Sequence, residues 1–314
     1  MQRLQWDGIY GNWETLLLAT DKTGAIDYAR MSDEIDVLIS SAPNGIYSNG
    51  TAGEFYTQTE EEFDRISFML SGKCEKAKVA YQIGVSHMSP QISLERLRRA
   101  RDLQPGAVQV ILPDWFPVSP EEAVAFLQKM AEEANGISLI LYNPPHAKWQ
   151  LQPEEWAALK SQIPALAGVK VADKYGSKEW YGRMNACNKG LSVFIPGHHL
   201  ASGIQAGARG AYSNMACLNP FAAQRWFEMI GTDSFAALEL EGRINRFMSE
   251  CITPLITEQG YPNHACDRFM ALVGGWADVG AKLRWPYRSI PESFVEHTRR
   301  RVEEIIPEFS TFCS

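Results

Sequence analysis

The sequence contains neither a strong charge imbalance nor a long apolar run. Its 314 residues carry a formal net charge of -7, without the basic surplus typical of nucleic-acid binders, so no nucleic-acid partner is expected. The longest apolar segments, such as residues 137–142, have the length of a strand, so no membrane-spanning helix is expected. No secretory signal pattern is found either, and the predicted location is the cytoplasm.

Patterns for metal binding and for disulfide bonds are also missing. The six cysteines form no C-x-x-C pair and have no histidine at ligand spacing; they are Cys74, Cys187, Cys217, Cys251, Cys266 and Cys313. The adjacent His198 and His199 would point in different directions and make a poor metal pair. The sequence therefore predicts reduced thiols, no metal and no cofactor.

What the chain does contain is an alternation of short apolar runs with amphipathic segments. The runs predict strands near Thr15–Ala19, Gly45–Asn49, Ala77–Ile83, Ala107–Leu112, Ser138–Asn143, Ala167–Val171, Ser192–Pro196 and Gly210–Asn214. Eight strands that alternate with helices indicate an α/β fold, either a closed barrel or a doubly wound sheet. No glycine-rich dinucleotide loop follows the first strand, and the count of eight favours a (β/α)₈ TIM barrel.

Helix-start signals fall between the predicted strands. Helices are expected from Thr59 to Leu70 and after Ser119, where a cap residue precedes a proline and acidic residues, and again from Met215 to Ile230. Beyond residue 232 the pattern is helical only, with Ser234–Glu250, a loop, and Glu292–Ile306. We therefore predict a catalytic barrel over 1–231 and a C-terminal helical extension over 232–314 packed on it.

Lys170 lies at or inside an apolar strand, in Gly168-Val169-Lys170-Val171-Ala172. Burial disfavours the ammonium form of lysine and lowers its pKa, which gives a nucleophilic amine near neutral pH. The alternative is a lysine that reaches solvent from the strand end. In a barrel, catalytic groups lie at the carboxyl ends of the strands, where Lys170 is expected.

Two other strand ends carry candidate groups. Tyr142 ends the fifth strand before two prolines, and its phenol could move protons, although it could equally be a core aromatic. Gly50, Thr51 and Ala52 open the loop after the second strand. Backbone N–H groups in such a loop can hold a carboxylate, although an ordinary turn would look the same.

In this order, these segments resemble the dihydrodipicolinate synthase / N-acetylneuraminate lyase family over about residues 6 to 230. The matching motifs are Gly50-Thr51-Ala52-Gly53-Glu54, Tyr142-Asn143-Pro144-Pro145 and Gly168-Val169-Lys170, with Gly207 to Ser213 similar to the eighth-strand motif. The resemblance implies that Lys170 forms a Schiff base with a 2-keto acid and that Tyr142 moves protons. It also implies a carboxylate site around Thr51, substrate contacts from Ser213, and a homotetramer built from dimers, or a homodimer.

The chain departs from the family pattern in its second-substrate pocket. Ala52 replaces a threonine, Trp115 stands where the synthases have a tyrosine lent across a dimer interface, and Ala147 stands at or near an arginine position. The acidic hydroxyl-binding pair that the lyases carry after strand seven is replaced at or near His198-His199-Leu200. The chain is therefore expected to be neither a lysine-pathway synthase nor a standard sialic acid lyase. The residues predicted to line the rebuilt pocket are Trp115, Phe116, His146, Trp149 and His198.

The function predicted from these features is that of a lyase on pyruvate or a related 2-keto acid, acting as an aldolase, dehydratase or deaminase. Because the proton relay is altered, the alternative is an inactive barrel that binds a keto acid as a sensor or remnant. A metal-dependent aldolase would need a cluster of histidines and carboxylates at the strand ends, and the sequence offers none.

Overall fold

Eight parallel strands form a closed barrel in chain order, with the last strand paired to the first. The computed structural model describes residues 3–172, 177–187 and 189–310. The strands are β1 (Gly11–Thr15), β2 (Gly45–Ser48), β3 (Tyr81–Gly84), β4 (Ala107–Ile111), β5 (Ser138–Asn143), β6 (Leu166–Val171), β7 (Ser192–Pro196) and β8 (Gly210–Tyr212).

Helices follow the strands and continue beyond the barrel. They are α1 (Tyr28–Ser40), α2 (Glu60–Ala77), α3 (Pro90–Asp102), α4 (Pro120–Ala134), α5 (Pro153–Gln162), α6 (Lys178–Cys187), α7 (Leu200–Gln205), α8 (Asn214–Leu218), α9 (Pro220–Thr232), α10 (Ser234–Phe247), α11 (Thr253–Thr257), α12 (Asn263–Gly274) and α13 (Val295–Ile305). The predicted (β/α)₈ barrel with a C-terminal helical extension is confirmed. The division at residue 231 stays a prediction.

Two apolar clusters hold the barrel together. A small cluster fills its interior and includes Trp13, Tyr47, Ile140, Phe194 and Tyr212. A much larger cluster lies between the strands and the surrounding helices and continues into the C-terminal helices. This two-layer core explains why the strands read as continuous apolar runs, since both of their faces are buried.

The first and third strands differ from the sequence prediction. β1 ends at Thr15, where the prediction began, although the apolar run 16–19 is fully buried. That run is covered by the C-terminal region, since Arg268 donates to the Leu18 carbonyl. β3 starts late because α2, which begins with the capping box of Thr59 and Glu62, continues to Ala77. Ser119 and Glu122 form a second capping box at the predicted start of α4.

The C-terminal part of the structure differs more from the sequence prediction. The predicted helix 215–230 is two helices, because Asn219 caps a new helix that starts at Pro220. The segment predicted as a loop after residue 250 contains α11 and the largely buried α12. No helix in the described ranges is long and apolar enough to cross a membrane. The five described cysteines are free thiols, and Cys313 lies outside the described residues.

Candidate active site

Lys170 and Tyr142 are direct neighbours across the β5–β6 pair, at the carboxyl ends of their strands. The Lys170 Nζ lies 4.3 Å from the centroid of the Tyr142 ring. The rings of Tyr47 on β2 and Tyr212 on β8 lie 5.4 Å and 4.9 Å away. The amine is therefore surrounded by three aromatic rings contributed by three sides of the barrel.

Burial sets the chemistry of this amine. It lowers the pKa of Lys170 from 10.5 to about 8, against the opposing effect of the Asp267 carboxylate. The aromatic faces attract the ammonium form but do not replace the water that it loses. Within the described residues, no carboxylate forms a direct ion pair with Lys170. A usable fraction of the amine is therefore unprotonated at neutral pH and able to attack a carbonyl carbon.

Tyr142 differs from the two other tyrosines in how its hydroxyl is bonded. Tyr47 donates to Gln109, and Tyr212 donates to Gln82, so both hydroxyls are engaged inside the barrel. Burial raises the pKa of Tyr142 to about 12, and a hydrogen bond from the Thr51 side chain opposes the rise. Tyr142 is thus a neutral phenol beside the amine, with a hydroxyl partner on the neighbouring loop.

The loop after β2 forms part of the wall of the same cavity. Thr51 and Ala52 line the cavity, and their amide N–H groups donate to no group in the part of the chain that the structure describes. Gly50 does not line the cavity. A Cβ at Gly50 would collide with the Tyr47 hydroxyl, so this glycine is needed for packing. Two free amides in one turn suit a carboxylate.

Glu54 fixes this loop in place. Its backbone is left-handed, with φ at 49°, and its side chain is fully buried. One carboxylate oxygen accepts a hydrogen bond of 2.6 Å from Arg268 on α12. The other accepts from the backbone N–H of Arg284 at 3.0 Å. The C-terminal extension therefore holds the loop that carries Thr51.

A cavity of about 390 Å³ joins these groups at the carboxyl end of the barrel. Six of the eight predicted site residues line it, namely Lys170, Tyr142, Thr51, Ala52, His198 and Ser213. Ser213 also caps α8, because its hydroxyl accepts from the amide of Ala216. The His198 amide donates to the side-chain oxygen of Asn214 at 3.1 Å.

Trp115 lies outside this cavity. Its side chain is 79% exposed and that of Phe116 is 84% exposed, and neither lines a described cavity of this chain. Its role in substrate binding stays a prediction. His146 lines the first cavity, and together with Trp149 it lines a second, largely apolar cavity of about 520 Å³. Thr51 and Tyr142 belong to the walls of both.

Sequence reasoning missed the contribution of α12. Asp267 lines the cavity, and burial raises its pKa from 3.8 to about 7, against the effect of the Lys170 ammonium. Its neighbour Arg268 forms the buried ion pair with Glu54. A helix signal was available, since a mostly apolar segment from Ala265 to Val273, interrupted by Asp267 and Arg268, ends at glycines, and Gly275 is the left-handed C-cap. The described residues hold no group of three or more His, Cys, Asp or Glu that could bind a metal.

The chain is similar in sequence to several curated proteins. The chain is 23% identical over 292 residues to a trans-O-hydroxybenzylidenepyruvate hydratase-aldolase of Sphingobium xenophagum, covering 88% of this chain and 85% of that protein. It is 29% identical over 196 residues to the N-acetylneuraminate lyase of Gallus gallus, covering 60% and 63%. A 4-hydroxy-tetrahydrodipicolinate synthase of Methanococcus aeolicus is 30% identical over 153 residues, and the match spans about half of each chain, 48% and 52%.

Solved structures agree on the fold. The Ruminococcus gnavus sialic acid aldolase, solved as a catalytic lysine mutant, superposes with a TM-score of 0.82 at 18% identity, covering 98% of this chain and all of that one. A prophage protein of the dihydrodipicolinic acid synthase family from E. coli K12, in complex with pyruvate, gives the same TM-score at 18% identity, covering 95% and 98%. The Dihydrodipicolinate synthetase family profile matches residues 10–303. The chain therefore belongs to the Dihydrodipicolinate synthetase family.

Proposed function

We propose that this protein is a class I lyase that forms a Schiff base between Lys170 and pyruvate or a related 2-keto acid. The observation that carries the proposal is the buried amine of Lys170, whose pKa is lowered to about 8, beside Tyr142 in one cavity. The names of the relatives support it, because they describe lyases and aldolases, and one solved relative is in complex with pyruvate.

Substrate binding begins with the carboxylate. The free amides of Thr51 and Ala52 hold it, which brings the C2 carbonyl carbon to the Lys170 amine. The amine attacks C2, and the proton it loses is passed to the carbonyl oxygen by the Tyr142 phenol, which forms a carbinolamine. Loss of water then gives the protonated imine.

The imine then acts as an electron sink. In an aldol cleavage, the C4 hydroxyl loses its proton and the electrons of the C3–C4 bond flow into the imine, which forms an enamine and releases the C4 fragment as an aldehyde. In an elimination, loss of a C3 proton forms the enamine, whose electrons then expel the C4 substituent, which leaves with a proton as water or ammonia. Protonation of the enamine carbon and attack of water on the imine release the keto acid and regenerate Lys170. In each proton transfer, Tyr142 is the neutral donor or acceptor beside the reacting atoms.

The alternative is an inactive barrel that binds a keto acid. The paired Lys170 and Tyr142 count against it, since a binding site needs no amine whose pKa is tuned toward neutrality. Ala52 at the position of the family threonine does not remove the hydroxyl partner of Tyr142, which Thr51 supplies. A cytoplasmic location and a homotetramer or homodimer belong to the same proposal.

Borohydride trapping tests the proposal directly. Incubation with pyruvate followed by reduction should add one pyruvate-derived group to the protein, and peptide mapping should place that group on Lys170. The Lys170→Ala variant should carry no adduct, while Lys129→Ala, a surface substitution, should be trapped like the unaltered protein. No adduct with pyruvate or with a panel of 2-keto acids would exclude the imine mechanism.

The lowered pKa of Lys170 also predicts the pH dependence of trapping. Only the free amine attacks, so the rate should rise about tenfold per pH unit below pH 8 and level off above it. Raising pH increases reactivity because the group loses a proton. The initial trapping rate at saturating pyruvate, measured from pH 6 to 10, gives the midpoint. A midpoint near that of an ordinary lysine, about 10.4, would show that burial does not tune this amine.

A further inference from the structure

A carboxylate without a hydrogen-bond partner lies in the wall of the cavity. Asp267 on α12 lines the cavity together with Lys170, and its carboxylate accepts no hydrogen bond from the described residues. The two terminal nitrogens of the next residue, Arg268, donate to Glu54 and to backbone carbonyls. Asp267 is partly buried, and its exposed part faces the cavity that it lines. Asp267 therefore keeps its acceptor capacity for a group that enters the cavity.

The charges around Asp267 restrict what that group can be. Lys170 is the single lysine or arginine among the described residues that line this cavity, and imine formation consumes its amine. Above pH 7, where Asp267 is ionised, a second carboxylate on the substrate would face it as a like charge, and no guanidinium or ammonium among the described lining residues would pair with that second carboxylate. The cavity wall thus disfavours a dicarboxylic substrate.

Neutral polar groups in the same cavity favour a hydroxylated substrate instead. Asn263, one turn earlier on α12, and Thr253 on α11 line the same cavity. Both side chains are neutral and can donate as well as accept hydrogen bonds. A cavity wall that offers a carboxylate acceptor, an amide and a hydroxyl matches a chain of hydroxyl groups, each of which donates one hydrogen bond and accepts another. Hydrogen bonds to a charged acceptor are the stronger kind.

Building on the Schiff-base function proposed above, we infer that Asp267 is a specificity-determining residue whose carboxylate accepts a hydrogen bond from a substrate hydroxyl beyond C3. The substrate class is a 2-keto acid with hydroxyl groups on C4 and later carbons, equivalent to pyruvate joined to a hydroxyaldehyde. Asp267 selects this class by binding the hydroxyl group and by repelling a second carboxylate.

The test compares three five-carbon keto acids in the trapping assay, counting adducts of any mass on Lys170. They are 4,5-dihydroxy-2-oxopentanoate, 2-oxopentanoate and 2-oxoglutarate. The unaltered protein should reach half-maximal trapping with the dihydroxy acid at a concentration about tenfold or more below that for either other acid. In Asp267→Leu, the dihydroxy acid and 2-oxopentanoate should reach half-maximal trapping at similar concentrations. Asp267→Asn keeps one acceptor oxygen but not the charge. Its ratio of half-maximal concentrations should lie between that of the unaltered protein and that of Asp267→Leu.

The readout is the ratio of the half-maximal trapping concentrations of the keto acids, because Asp267 also influences the amine of Lys170. Its removal changes the reactivity of Lys170 equally for all three acids, and this change cancels in the ratio. Asp278→Asn is the matched control, since Asp278 lies on the surface and pairs with Arg30. If Asp267→Leu fails to fold, the nearly isosteric Asp267→Asn decides alone, because its ratio must still fall.

Three results distinguish a failure of this inference from a failure of the proposed Schiff-base function. An unchanged ratio in the Asp267 variants would overturn the role of Asp267 while the imine mechanism stands. Tightest trapping of 2-oxopentanoate or 2-oxoglutarate by the unaltered protein would overturn the substrate class. Failure of the unaltered protein to form an adduct with any keto acid, pyruvate included, would instead remove the Schiff-base function, and this inference would fall with it.

Discussion

Replacing Tyr142 by phenylalanine is expected to lower kcat/KM by about 10²–10⁴-fold, the range of a lost general acid–base group. The ring would still pack beside Lys170, 4.3 Å from its amine, so the cavity keeps its shape. What is lost is the hydroxyl that receives the Thr51 hydrogen bond and moves protons between the amine and the substrate oxygen. The measurement is the rate of adduct formation with pyruvate, together with turnover once a substrate is known.

The control for this variant is a tyrosine away from the site. Tyr10 is an exposed surface residue, so Tyr10→Phe should react like the unaltered protein. The pH midpoint of trapping should stay near pH 8 in Tyr142→Phe, because the phenol is neutral there and hardly affects the charge of Lys170. Trapping within about threefold of the unaltered rate would mean that water or another group carries the protons, since a lost general acid–base group costs far more.

Much of this site could be predicted because its residues follow strands. A lysine inside an apolar strand and a tyrosine before two prolines mark strand ends, and strand ends of a parallel barrel meet at one rim. Nothing further along the chain was needed to place Lys170 beside Tyr142. Strands β5 and β6 pair in parallel, and Tyr142 and Lys170 lie in register across that pair.

Other parts of the site depend on tertiary packing that strand patterns do not encode. Gly50 was expected to let the backbone approach an anion, whereas the structure requires a glycine there because of the Tyr47 hydroxyl. Asp267 was missed because it reaches the rim from α12 and not from a strand. Trp115 was predicted to lie near the substrate from its motif position, yet it is exposed on the loop after β4 and lines neither described cavity.

Arg268→Met should destabilise the fold by about 3–5 kcal/mol, the usual result of removing one partner of a buried ion pair. The Arg268 and Glu54 side chains are 2% and 0% exposed. Arg268 also donates to the Leu18 and Val279 carbonyls. The variant would leave a buried carboxylate and two carbonyls short of donors, and methionine restores only the apolar stem. The free energy of unfolding, obtained by denaturant titration, is the measurement.

Two further variants show whether the buried charge is the cause. Arg268→Met combined with Glu54→Gln removes both charges, so it should be less destabilised than the sum of the two single changes. Arg243→Met breaks the surface pair with Glu308 and should cost at most about 1 kcal/mol. Equal decreases in the free energy of unfolding for Arg268→Met and Arg243→Met would contradict the prediction. Because Glu54 belongs to the loop that carries Thr51, Arg268→Met should also weaken carboxylate binding at that loop.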